Sequence, residues 1–183
     1  LTIDRTPGVR PRQTLWRRLD ATARVCFPAA TSALLLLLLA APLGLPGQAE
    51  LQVAAALCCV FFWSLFRPAS MTPPMVFMIG LLADLLGYAP PGLNVLVLLA
   101  VHGLALRWRV GLVRQGFLLV WLVFAMVACL AAGTGWGLTS LLNFTLLAPG
   151  PALFQAAVSA GIYPAMAVLL IRAHRSLADP DLA

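Results

Sequence analysis

Pro73-Pro-Met-Val-Phe-Met-Ile-Gly-Leu-Leu-Ala-Asp-Leu-Leu-Gly-Tyr-Ala-Pro-Pro-Gly92 is the stretch on which the fold turns. It opens with a proline pair, which suits a first helical turn because the N–H that proline lacks has no intrahelical acceptor there. It closes on a Pro-Pro-Gly turn, and its only charge is Asp84. A carboxylate inside a membrane helix costs about 2.5–3.5 kcal/mol on insertion scales and therefore faces protein or water. At about 100° of rotation per residue, Gly80, Ala83, Asp84 and Gly87 fall on one arc, and Met75, Met78, Leu82 and Leu85 on the other. Small residues let a second helix approach closely. The stretch thus predicts a helix with its acid in a helix–helix seam and its leucines toward lipid.

The rest of the chain fits that environment. Apolar residues make up 62% of the 183 positions and charged residues 10%, against about 45–50% and about 25% in soluble domains. So few charges cannot cover a water-soluble surface. The net charge of +6 comes from arginines in short clusters between apolar runs, a pattern of membrane topology rather than of nucleic-acid binding. Six apolar segments follow one another, at about 25–43, 51–66, 73–88, 93–106, 116–132 and 151–171. Several are short against the roughly 20 helical residues that a bilayer core asks for, so their polar-edged flanks are expected to continue the helices. They form one membrane domain, 25–171, between an arginine-rich leader, 1–24, and a tail, 172–183. Within the leader, residues 13–24 read as a short surface helix with Leu15, Trp16 and Leu19 toward lipid. Gly133-Thr-Gly-Trp-Gly137 reads as the end of the fifth helix, and 138–147 as a separate interfacial helix.

Six crossings place the leader, Arg67, the Arg107–Arg114 loop and the tail on one side, with every arginine, while the opposite loops hold Glu50 and no basic residue. The positive-inside rule makes the arginine side cytoplasmic, so both termini are expected there. The expected class is an all-α integral membrane protein, a bundle of six transmembrane helices.

Asp84 lies about four residues, or about 6 Å, from the end of its span, and Asn94 stands at similar depth in the antiparallel fourth span. His102 lies roughly 13 Å deeper than the start of that span on the same rise. A bond from Asp84 to Asn94, or to backbone near Pro90-Pro91-Gly92, is expected in preference to an Asp84–His102 pair. Two roles stay open for the acid: a lock on the turn between spans three and four, or a proton-relay or ligand site. His102 reads as a hydrogen-bonded core residue, Pro164 as a bend in the last helix, and the four cysteines as buried small hydrophobes without zinc-site spacing. No nucleophile–base pairing, metal-ligand motif or phosphate loop is found, so no catalytic, cofactor or metal residues are expected.

The run Pro74–Gly92, with its Gly-Leu-Leu-x-Asp-Leu-Leu core and following Pro-Gly turn, resembles the signature of the bacterial rod-shape-determining MreD family. The small size, the six spans, the Arg-rich loop after the fourth and the outer connector before the last agree with it. The leader is longer than the family pattern, and Pro90-Pro91 is a doublet where one proline would suffice. The resemblance implies a non-enzymatic inner-membrane component of the cell-wall elongation machinery. It also implies association with an MreC-like bitopic partner, and through it with an MreB-like actin homologue and peptidoglycan synthases. The implied fold resembles the substrate-binding subunits of energy-coupling-factor vitamin transporters. Asp84 carries over as the motif acid, with no catalytic role attached. The seam of Gly80, Ala83 and Gly87 is a candidate contact for the partner's span, beside Asp84, Pro91, Gly92 and Asn94. An alternative is a substrate-capture subunit of a small-molecule transporter, with Asp84 and Asn94 lining an outward pocket.

Overall fold

The computed structural model describes residues 15–178 apart from 43, 45 and 88, with side chains within 22–174. The first fourteen residues of the leader and the tail beyond 178 lie outside the described residues. Six helices make up its regular structure: α1 Leu15–Ala40, α2 Gln48–Phe66, α3 Pro73–Leu86, α4 Leu93–Leu112, α5 Phe117–Leu142 and α6 Gly150–Ala178. Five of them are long and apolar enough to cross a membrane, so the chain is a multi-pass membrane protein by length and composition. The sixth, α3, has fourteen residues, about 21 Å at a rise of about 1.5 Å per residue, less than the bilayer core of about 30 Å.

α2 forms the axis. Its apolar residues are spread all round the helix, a pattern that demands burial on every side, and Ala54 through Leu65 are buried without a break. α1, α4 and α6 surround it, and α3 and α5 touch it more lightly. The alanines Ala54-Ala55-Ala56 allow neighbours in closely, and aromatic rings fill the lower half. Phe61 meets Phe124 of α5 at 5.2 Å and Tyr163 of α6 at 6.0 Å between ring centroids. Tyr163 stacks on Phe124 at 4.2 Å.

The contacts fix the helix directions. Phe27 of α1 meets Trp63 near the end of α2, whose ring also meets His174 near the end of α6. Arg109, late in α4, donates from Nε to Leu65 O at 2.8 Å. At the opposite end, Gln48 donates from Nε2 to Leu39 O at 2.7 Å and to Ala41 O, and Glu50, Asn94, Thr139 and Pro151 line one cavity. Successive helices therefore run in opposite directions. Arg67, Arg109 and His174 mark an arginine end, and Glu50 and Asp84 a carboxylate end.

The structure departs from expectation at several points. α1 runs without a break from Leu15 to Ala40, so the surface helix expected at 13–24 merges with the first span; no glycine or proline interrupts 15–24 to end it. α5 passes through Gly133–Gly137 and stops only at Leu142. Each glycine lowers helix stability by about 1 kcal/mol against alanine. In apolar surroundings, however, backbone groups released from the helix would lack partners. The hydroxyls of Thr134 and Thr139 meanwhile bond back to Ala131 O and Gly135 O. The separate helix expected at 138–147 is therefore absent, and its second half is connector, with Phe144 turning the chain at φ 51°. Finally, Cys58 and Cys59 are buried as expected, but Cys26 and Cys129 are exposed on the bundle's outer face.

Phe124 is fully buried among these rings. Phe124→Ala is expected to cost about 3–5 kcal/mol through the cavity it leaves, read as a fall in unfolding midpoint in detergent.

Candidate functional site

α4 begins at Leu93 after Gly92, which has φ 88°, a left-handed conformation that favours glycine, and supplies no side-chain cap. The first N–H groups of a helix have no intrahelical acceptors. Here the acceptor comes from the preceding helix. Asp84, 8% exposed, receives Gly92 N–H at 2.9 Å and the longer Val95 N–H contact at 3.4 Å on Oδ2, and Asn94 N–H at 3.0 Å on Oδ1. A carboxylate at a helix N-terminus also meets the positive end of the helix dipole. Of the two partners expected for Asp84, the backbone by the turn is the one realised, and Asn94 contributes its N–H rather than its side chain. Pro90 O accepts Leu93 N–H at 3.1 Å to close the turn, and Pro91 stands exposed at its tip.

The same face of α3 sets the helix spacing. A Cβ at Gly80 would lie 2.6 Å from Val95 Cα and 3.0 Å from Val95 N, so α4's backbone packs directly on the missing side chain. Ala83 is buried in the same seam, and a Cβ at Gly87 would strike Ala83 O at 2.9 Å. Of the four residues expected toward lipid on the opposite face, Met78 and Leu85 are exposed, while Met75 and Leu82 are half-buried beside α1. The small-residue seam is thus filled by the chain's own α4, which removes Gly80 and Ala83 from the surfaces open to a partner.

His102, buried in α4, takes Ser64 of α2 as its partner, Nδ1 to Oγ at 2.7 Å. The Ser64 hydroxyl also lies in hydrogen-bond reach of Val60 O, an arrangement that suits the tautomer in which Nδ1–H donates to Ser64 and Nε2 keeps the lone pair. That nitrogen has no partner among the described residues. Asp84 and His102 therefore belong to separate networks. Ser64 escaped sequence reasoning because a serine that bonds its own helix backbone looks like any other small residue. No cluster of potential metal ligands occurs among the described residues.

A cavity opens beside the Asp84 cap at the carboxylate end. One lobe, of about 440 Å³, lies between the starts of α2, α4 and α6 and the end of α5, and has Trp136 in its wall. An adjoining lobe of about 350 Å³ reaches toward Ala83 and Gly87. Glu50, Asn94 and Gln155 line both lobes, Gln52 lines the second, and the remaining walls are largely apolar. Gln52 is 5% exposed, and its Nε2 has no hydrogen-bond partner among the described residues. Leaving such a donor unsatisfied costs about 1–3 kcal/mol. The indole N–H of Trp136 is occupied, donating to Leu147 O at 3.0 Å and tying the connector over the cavity. Gln52 and Gln155 were not singled out from the sequence. The available signal was three carboxamides, each a few residues inside the same end of an even-numbered helix.

Comparison with known families, curated proteins and solved structures finds no match to this chain.

Three substitutions test the hairpin. Asp84→Asn is expected to lose about 1.5–3 kcal/mol, the worth of hydrogen bonds to a charged group. Because the bond goes to the Asn94 backbone, Asp84→Asn and Asn94→Ala should be additive within about 0.5 kcal/mol in a double-mutant cycle. Gly80→Ala is expected to cost about 1–3 kcal/mol, since backbone must shift to admit the methyl; an unchanged unfolding midpoint would contradict the close approach.

Proposed function

We infer that this chain is a non-enzymatic scaffold of the bacterial cell-wall elongation machinery, acting in the control of cell shape. It sits in the inner membrane, crosses it six times and keeps both termini and the arginine end in the cytoplasm. It binds an MreC-like bitopic partner, and through it an MreB-like actin homologue and peptidoglycan synthases. The six-helix bundle is in turn of the kind found in substrate-binding subunits of energy-coupling-factor transporters. The observation that carries the proposal is the use made of the run Pro74–Gly92. Gly80 sets the α3–α4 spacing, Asp84 caps α4 and Gly92 makes the turn. The resemblance-bearing residues shape a hairpin. The collection of Arg67 and Arg109 at one end supports the orientation. α3 completes its crossing with the turns on either side, shielded by α1 and α4.

The partner's span is assigned to the groove between α1 and α3, where Ala29, Ala30 and Ala33 face Met75 and Met78 across about 520 Å³. Small residues on one wall admit a helix closely, and methionines adapt to it. Ala30 is exposed, so Ala30→Leu should leave the fold intact while reducing co-purification with an MreC-like partner several-fold. Recovery equal to the parent would place the partner elsewhere.

The cavity beside Asn94 favours a second function, capture of a small solute for transport. Depletion in a rod-shaped host separates the two: rounding of the cells is expected, whereas normal rods with a nutrient requirement would favour transport. A reporter fused after Gly47 is expected to be accessible only from outside the cytoplasm.

A further inference from the structure

We propose that the two-lobed cavity at the carboxylate end is a binding site for a small amide-bearing molecule, uncharged or cationic, gripped by Gln52, Asn94 and Gln155. The site stands apart from the wall-elongation reading and is compatible with either function above.

The argument begins with Gln52. A glutamine in the central helix, 95% removed from solvent, would serve packing better as leucine, because its amide nitrogen finds nothing to bond. It borders the cavity, but its amide nitrogen is closed off from that space, so a ligand carbonyl reaches it only once the side chain turns. Asn94 and Gln155 border the same space from α4 and α6. Carboxamides each offer a donor and an acceptor, and three from different helices read complementary donor–acceptor edges such as amides carry. Charge narrows the class further. Glu50 lies in the wall of both lobes, and no arginine or histidine does, so an anionic ligand would meet a like charge with no counter-charge. Size agrees, since small-molecule sites occupy about 300–1,000 Å³, with mostly apolar walls and a few placed polar groups. Val53 and Trp136 supply apolar wall on two sides.

Three probes on one scaffold are compared: N-acetyltryptophanamide, neutral with two amides; and two with a single amide, tryptophanamide, cationic, and N-acetyltryptophan, anionic. Binding to the full chain in lipid nanodiscs is followed by ligand-observed NMR. The neutral and cationic probes are expected to bind, with the anion about tenfold weaker. Gln52→Leu should weaken the neutral probe about tenfold while the unfolding midpoint holds or rises. Glu50→Gln should abolish the advantage of the cation over the anion. Gln155→Leu, on a half-buried residue, provides the same loss should Gln52→Leu fail to fold. Equal affinities for all three probes, no binding, or binding unaltered in both glutamine variants would overturn the proposal. Rounding of depleted cells alongside any of those results would leave the scaffold role standing and remove the site alone.

Discussion

The N–H groups that open α4 have no acceptor within their own helix. Asp84 answers three of them at once from the end of α3. The carboxylate in turn escapes the cost of burial, because each oxygen accepts a hydrogen bond and both lie at the positive end of a helix dipole. Neither partner is tolerable alone. Their meeting fixes the angle at which α4 leaves the turn, and Gly80 fixes how closely it lies against α3. The shortest helix of the bundle thereby becomes a rigid support for one wall of the cavity.

α2 carries the opposite responsibility. It is covered by its neighbours along most of its length, so its side chains decide how the other helices are spaced. At the arginine end it is packed with Phe61, Phe62 and Trp63, while toward the carboxylate end it offers alanines and Gln52. The cavity opens beyond the closely packed alanines, where Ala49, Glu50, Gln52 and Val53 of α2 border it, with the hairpin, the end of α5 and the start of α6 completing its walls.

A buried, unpaired amide beside a cavity sets local stability against something else. The three carboxamides approach the cavity from separate helices, and Trp136 holds the α5–α6 connector across one side through Leu147 O. A molecule entering there would touch α2, α4 and α6 together, and through Ala89 and Pro90 the turn that Asp84 organises. Asn94 belongs to both, since its backbone answers Asp84 while its side chain borders the cavity.

Composition, the alternation of apolar runs with arginine loops, and the arc of small residues around Asp84 determined by themselves that this is a helical membrane protein. They also determined that its one embedded acid faces another helix near the third turn. Those features depend on local periodicity and on the cost of charge in lipid, which a sequence states directly. Tertiary structure alone decided that α5 continues through its glycines. Propensity argues for a break there, and only the lack of other partners for the backbone argues against it. It also decided that His102 pairs with Ser64 rather than with a charge, and that Gln52, Asn94 and Gln155 converge. Residues 42 and 61 positions apart become neighbours only through the way helices pack around α2, and helix packing is set by shape complementarity over whole faces, which no short stretch of sequence contains.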